Sequence, residues 1–224
     1  MSAAPASPVF DRIAALGVVP VIAIERVEHA LPLADALLEG GLSVAEITFR
    51  TEAAAEVMAL LGARRPELLM GAGTILRADQ VTRAVAAGAA FGLAPGLDPA
   101  IVRAAEAAGL PFAPGIMTPT DLSLAAAQGC RLMKFFPAMP AGGPSMLRNI
   151  CAPFAHLGLR FVPTGGVTQD NMAEWLALPE IAAVGGTWIA RPEDLRAGDW
   201  GGIAARARAA VARARDCRPE EIRA

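Results

Sequence analysis

VAEITFRTEAAAEVMALLGARRPELLMGAGTI, Val44 to Ile75, decides the fold. VAEITF (Val44 to Phe49) and LMGAGTI (Leu69 to Ile75) are short apolar runs rich in strand formers and closed by turn residues. Between them, Glu52 to Ala63 is alanine- and leucine-rich and of helical length. Strand, helix and strand within about thirty residues form a βαβ unit, whose crossover makes the two strands parallel.

The same alternation extends in both directions. VVPVIAI (Val18 to Ile24) precedes the unit; FGLAP (Phe91 to Pro95), PFAPGI (Pro111 to Ile116), RLMKFFPA (Arg131 to Ala138), RFVPTGG (Arg160 to Gly166) and AAVGGTWIA (Ala182 to Ala190) follow it. Helical segments fill the gaps, namely His29 to Leu38, Asp79 to Ala87, Pro99 to Ala108, Pro119 to Gln128, Ser145 to Phe154 and Gln169 to Leu176, and Gly202 to Asp216 follows the last strand. Eight such units, without a central reversal or a second domain, predict an α/β chain closed into a single (β/α)8 TIM barrel over residues 1–224. A short N-terminal extension or helix and a C-terminal helix complete it. The length of 224 residues suits one barrel of about 250 better than two domains.

Composition narrows the function classes. Hydrophobic residues make up 54% and charged residues 19%, enough apolar side chain for a sizeable core. The longest apolar run, LGVVPVIAI (Leu16 to Ile24), contains Pro20 and stops at Glu25, so no membrane span is expected. MSAAPASPVFDR has neither a basic region nor a long apolar one, so no signal peptide is evident and the expected compartment is the cytoplasm. Cys130, Cys151 and Cys217 are scattered and lack CxxC spacing, which predicts reduced structural thiols. A formal net charge of −2 gives no pull toward nucleic acid or anionic membranes. The basic tail, ARARAAVARAR (Ala205 to Arg215), places Arg206 and Arg213 on one side of a helix and Arg208 and Arg215 nearly opposite. That spread predicts a solvated terminal helix, not a binding stripe.

A barrel concentrates reactive residues at the C-terminal ends of its strands. Lys134, in the sixth strand, is the only lysine among 20 lysines and arginines, and it lies in an apolar run where an ammonium group is costly. Desolvation disfavours a charged amine, and a neutral amine is a nucleophile toward ketones. Alternatively its stem packs on apolar neighbours while the head reaches water or pairs with a carboxylate. The second strand places Glu46, Thr48 and Arg50 on one face. Glu46 and Arg50 make either a structural salt bridge or a working pair, the carboxyl moving protons and the arginine gripping a carboxylate.

The chain has no tyrosine, and His29 and His156 fall in predicted helix or loop segments. Neither HxH nor HExxH spacing occurs, so no metal site is expected. PTGG (Pro163 to Gly166) and GGT (Gly185 to Thr187) end the last two strands. Glycine pairs there let backbone N–H groups approach an anion, the usual phosphate position in such barrels, or simply fit tight turns. Thr164 and Thr187 add hydroxyl donors.

VVPVI, EITFRT, GAGT (Gly71 to Thr74), Pro95–Gly96, Pro114 to Thr120, KFFPA, GGP, PTGG and GGTW together resemble the 2-keto-3-deoxy-6-phosphogluconate (KDPG) aldolases, the pyruvate-releasing lyases of the Entner–Doudoroff pathway. The resemblance runs from about Val18 to Trp200. It implies a Schiff base on Lys134, proton shuttling by Glu46, and Arg50 and Thr74 holding the pyruvate carboxylate. Pro95 and Phe136 would line the pocket, and Thr164, Gly165, Gly166, Gly185, Gly186 and Thr187 would face the hydroxyls and phosphate of the distal half. The products implied are pyruvate and glyceraldehyde 3-phosphate, with no metal or cofactor, in a homotrimer. Thr187 stands where the pattern leads us to expect serine, and IMTPTD replaces a loop that reads differently in some relatives; both bear on the keto acid preferred. The same chemistry on 4-hydroxy-2-oxoglutarate or on the galactonate-derived epimer is the competing expectation. A non-covalent phosphate-binding barrel, isomerase or sensor, is the expectation from another class.

Overall fold

Every strand pairing among the described residues is parallel, as the βαβ reading requires. The structure is a computed structural model that describes residues 7–217; residues 1–6, where the stretch read for a signal peptide begins, and 218–224 lie outside the described residues. The strands are β1 Val18–Ile22, β2 Val44–Thr48, β3 Leu69–Gly73, β4 Phe91–Leu93, β5 Phe112–Ala113, β6 Gly115–Ile116, β7 Leu132–Phe135, β8 Arg160–Pro163 and β9 Val184–Gly186. The helices are α1 Pro8–Leu16, α2 Ala30–Glu39, α3 Ala54–Arg64, α4 Ala78–Ala86, α5 Pro99–Ala107, α6 Pro119–Ala127, α7 Gly143–Cys151, α8 Met172–Leu176, α9 Pro192–Ala197 and α10 Trp200–Cys217. The architecture is α/β with parallel sheet, and the expected helices and strands occur in the expected order.

The ladder is less regular than eight equal strands. One sheet runs β5-β4-β3-β2-β1-β9 and a second runs β6-β7-β8. The fifth expected strand, PFAPGI, splits at Pro114 into β5 and β6, because proline has no N–H to give the ladder. The eighth expected strand shrinks to Val184–Gly186, and only isolated parallel bridges, Phe161 to Ile181 and Thr164 to Gly185, connect it to β8.

Strand alternation decides what faces inward. Both faces of these strands are covered, so β1, β2 and β3 are buried at every position. On β7, Phe135 packs 6.2 Å from the ring of Trp175 on α8, which leaves Lys134 on the opposite, inner face. Space inside is tight. A Cβ built at Gly71 would sit 2.2 Å from the Phe91 ring, so the glycine of β3 admits the aromatic of β4.

IMTPTD proves to be a helix start. Thr118 Oγ1 accepts from the Asp121 N–H at 3.2 Å, Asp121 returns the contact to the Thr118 N–H at 2.9 Å, and Pro119 occupies the first turn of α6. The tail helix α10 is packed, not merely solvated. It buries Ile203, Ala204, Ala207, Ala210 and Ala214, and two of its arginines are ion-paired: Arg206 to Asp194 at 2.7 Å and Arg208 to Glu39 at 3.3 Å. No described helix is long and apolar enough to cross a membrane.

Asp194 ties α9 to α10. Only 5% of its side chain is exposed, and it accepts from the Arg191 N–H at 3.0 Å and from the Arg191 guanidinium at 2.8 Å. Those Arg191 side-chain hydrogen bonds hold its carboxyl below the ordinary value of 3.8. A depressed folded value means that the contribution is complete above the ordinary carboxylate range and is lost as pH falls through the folded one. Asp194→Asn should therefore cost about 1 to 3 kcal/mol at neutral pH. Urea unfolding of both proteins should show that difference closing in acid; a difference independent of pH would reject the assignment.

Candidate active site

Thr48, Thr74, Pro95, Thr164 and Gly186 all lie at or just past strand C-termini, and together they surround a cavity of about 300 Å³. Lys134 opens onto its floor. The amine is 3.0 Å from Glu46 Oε1 and 3.5 Å from Oε2, and the residues are 4% and 1% exposed. Glu46 therefore pairs with Lys134, not with Arg50, and the Lys134 head does not reach out to bulk water. The pairing of Lys134 with a carboxylate is as one sequence alternative had it, and the carboxylate is Glu46; the Glu46–Arg50 salt bridge is the alternative that the structure replaces.

Local structure makes room for that pair. The register sets Glu46 beside Gly71 and Thr48 beside Gly73. A Cβ at Gly73 would lie 2.1 Å from Glu46 Oε1, so the carboxylate occupies space that only glycine leaves. On the other side, Lys134 is in register with Gly115 of β6 and Val162 of β8. The Phe136 ring lies 5.9 Å from the amine.

The proximal rim carries Arg50 and Thr74. Arg50 is in the turn after β2, exposed, and no carboxylate among the described residues pairs with it. Thr74 has φ of 57°, the only positive φ of a described non-glycine residue. A β-branched side chain in that region costs on the order of 1 to 3 kcal/mol, and such strain clusters at binding sites. The distal rim is formed by Thr164, Gly165, Gly166, Gly186 and the exposed Thr187. Gly165 and Gly166 have φ of 98° and 76°, values that favour glycine and turn the chain back over the cavity. Gly185 lies one layer behind, where its missing Cβ makes way for Thr164 Oγ1.

The cavity thus gathers Lys134, Arg50, Thr74, Pro95, Phe136, Thr164, Gly165, Gly166, Gly186 and Thr187, with Glu46 beneath Lys134. Val21, Thr48 and Val167 also line it and were not nominated from sequence. Thr48 carried a usable signal, since it shares the inward face of Glu46; its hydroxyl donates to the Ile22 carbonyl at 3.1 Å. The two valines read only as core. No group of three or more histidine, cysteine, aspartate or glutamate side chains suited to a metal ion occurs among the described residues.

A family model described as KDPG and KHG aldolase matches residues 9–206. The chain belongs to this family. It is 42% identical over 192 residues to the 2-dehydro-3-deoxy-phosphogluconate aldolase of Haemophilus influenzae, covering 86% of this chain and 90% of that protein. Among solved structures it is similar to the KDPG aldolase of Legionella pneumophila with pyruvate captured at low pH as a covalent carbinolamine intermediate. That match has a TM-score of 0.86 and 38% identity, and covers 91% of this chain and 98% of the other. It is also similar to the 2-keto-3-deoxy-6-phosphogluconate aldolase of Zymomonas mobilis ZM4 with 3-phosphoglycerate, at a TM-score of 0.83 and 35% identity over 91% and 95% of the two chains.

The strain at Thr74 can be measured directly. Thr74→Gly should raise stability by about 1 kcal/mol, net of the chain entropy that glycine adds to the unfolded state. An unchanged or lower urea midpoint would show that the backbone there is unstrained.

Proposed function

We propose that this chain is a class I aldolase that cleaves 2-keto-3-deoxy-6-phosphogluconate to pyruvate and glyceraldehyde 3-phosphate through an imine on Lys134. The observation that carries the reading is the Lys134–Glu46 pair at the floor of the cavity, 3.0 Å apart and buried. An amine becomes nucleophilic by losing a proton, and the Glu46 carboxylate is within hydrogen-bond reach to take it. Lys134 Nζ then adds to the C2 ketone to give a carbinolamine, and loss of water gives the iminium.

Glu46 returns its proton to the departing carbinolamine hydroxyl; the iminium then draws the electron pair of the C3–C4 bond as it breaks, while the C4 hydroxyl gives its proton, directly or through water, to the Glu46 carboxylate and becomes the aldehyde. The resulting enamine is protonated at C3 with Glu46 as the proton source, directly or through water, and hydrolysis releases pyruvate and the free amine. Arg50 and Thr74 hold the substrate carboxylate, the guanidinium by a bidentate contact. Pro95 and Phe136 wall the imine. Thr164, Gly165, Gly166, Gly186 and Thr187 receive the hydroxyls and phosphate, and Gly185 supports Thr164 from behind. Each step is accounted for without a metal or cofactor. The captured carbinolamine of the Legionella relative supports the covalent route.

The distal rim favours a second substrate. The only cations lining the cavity among the described residues are Arg50 and Lys134, both at the proximal end, so the distal end offers N–H and hydroxyl donors alone. Such donors also suit the carboxylate of 4-hydroxy-2-oxoglutarate, which the family description includes. Relative kcat/KM for the two substrates, and for the galactonate-derived epimer, assigns the preference. We further propose that the chain is a single (β/α)8 barrel domain that acts in the cytoplasm as a homotrimer; the parallel bridges beside β8 and β9 support closure of the ring on that side.

Borohydride reduction with pyruvate should leave a stable adduct on Lys134, the only lysine, located by peptide mapping. Lys134→Arg should abolish cleavage, because a guanidinium stays protonated and forms no such imine. Measurable turnover in that variant, or absence of an adduct in the folded wild type, would turn the reading toward a phosphate-binding barrel without covalent catalysis. Glu46→Gln should lower kcat by about 10² to 10⁴, the range for loss of a positioned proton carrier. A kcat within a few-fold of wild type would remove Glu46 from the proton path.

A further inference from the structure

We infer that Trp188 and Gln169 are positioning residues for the distal half of the cavity, an inference that rests on the aldolase reading of the site. Gly186 ends β9 and lines the cavity. A Cβ built on it would lie 1.8 Å from Trp188 Cζ3 and 2.1 Å from Cε3, so the Cζ3–Cε3 edge of the indole occupies the space that a side chain at Gly186 would need. The ring is a plate that supports the strand end from which Gly186 and Thr187 reach the cavity.

The plate is tethered. Trp188 Nε1 donates to Gln169 Oε1 at 3.3 Å, and Gln169 Nε2 donates to the Ala209 carbonyl at 3.1 Å. An indole can only donate and a carbonyl can only accept, so a single orientation of the amide satisfies both neighbours. Gln169 lies three residues past Gly166, in the turn that follows the Gly165–Gly166 pair. Ala209 belongs to α10, whose alanine face is buried. One side chain therefore joins the turn after β8, the segment after β9 and a rigid helix. The same turn is fixed a second time, because Asn171 Nδ2 donates to the Gly166 carbonyl at 3.0 Å and Asn171 Oδ1 accepts from the Thr168 N–H at 2.8 Å.

Such a brace matters because the distal rim is built of glycines. Two glycine-bearing segments, with two residues at positive φ, give no side-chain rigidity of their own, yet anion binding by backbone N–H groups depends on their being aimed in advance. Neither Trp188 nor Gln169 lines the cavity, so their effect reaches the ligand only through the two rims. The braced feature is anion binding at the far end of the substrate, not the imine at the near end.

The test compares Gln169→Met and Trp188→Phe with wild type. The first keeps length and removes both hydrogen bonds, and the second keeps an aromatic plate and removes the tether. Three readouts are taken: steady-state cleavage of 2-keto-3-deoxy-6-phosphogluconate, cleavage of unphosphorylated 2-keto-3-deoxygluconate, and borohydride trapping with pyruvate. The expected result is a KM for the phosphorylated substrate raised about three- to tenfold with kcat within twofold, the size of one or two neutral hydrogen bonds. Trapping rates and kcat/KM for the unphosphorylated substrate should stay within twofold. Equal losses on both substrates, slower trapping, or no change in either variant would overturn the inference. If one variant fails to fold, the other decides. Wild type that neither traps pyruvate nor cleaves either substrate would instead reject the aldolase reading, and the parallel wild-type reactions separate the two failures.

Discussion

The buried contact between Lys134 and Glu46 is the interaction on which the rest of the site depends. Taking both ions out of water costs several kcal/mol each, and only close approach with good geometry offsets it. At 3.0 Å the geometry is good, but a pair of packed apolar residues would serve the fold equally well or better. Two neighbouring features exist to hold the pair. Gly73 gives up its side chain so that the carboxylate fits, and alternation on β7 turns Phe135 toward Trp175 so that Lys134 faces inward. A fold optimised for stability alone has no use for this arrangement; the proton exchange proposed between amine and carboxyl would have one.

The parallel α/β plan was legible because each strand signal was short and apolar with glycine, proline or threonine at or near its end, and each helix signal was long. What escaped the sequence were the places where regularity gives way. PFAPGI reads as one strand, yet the ladder breaks at its proline; AAVGGTWIA reads as nine residues of strand, yet only Val184–Gly186 pairs as one. Both misreadings treat apolar composition as hydrogen-bond geometry. The tail helix was legible only in part: its exposed arginines read correctly as spread around the helix, but their spacing says nothing of Asp194 and Glu39, which meet two of them, or of the alanine face that packs.

The site was legible to a different depth. A lone lysine in an apolar strand and an acid two residues inside a strand end are anomalies that sequence alone exposes, and the structure brings them together. Their partnership was not legible, because the strands that carry them are 88 residues apart and Arg50 was the nearer candidate in sequence. Val21 and Val167 are invisible as lining residues, since a valine against a cavity and a valine in a core have the same local signature. Gly73 is similar: its glycine looks like a turn residue, and only the position of the Glu46 carboxylate explains it.

Several departures from regular geometry meet at the cavity, although glycines with positive φ also occur far from it, as at Gly88 and Gly129. Pro114 breaks the ladder beside Gly115, where a Cβ would collide with the Pro95 carbonyl at 2.2 Å; without that side chain, the Pro95–Gly96 turn closes down on Gly115 and Pro95 becomes cavity wall. The Pro114 carbonyl is still used, accepting from the Lys134 N–H at 2.8 Å. Thr74, Gly165 and Gly166 add the unusual backbone angles, and all three line the same cavity. A parallel sheet that followed its local rules throughout would present eight uniform strand ends and no shaped opening. Regular pairing over β1 to β4 supplies the frame, and the breaks gathered around Lys134 convert one end of that frame into a pocket. The stability given up at those breaks is offset elsewhere, in the buried helix faces and the α9–α10 ion pairs, which carry no part of the cavity.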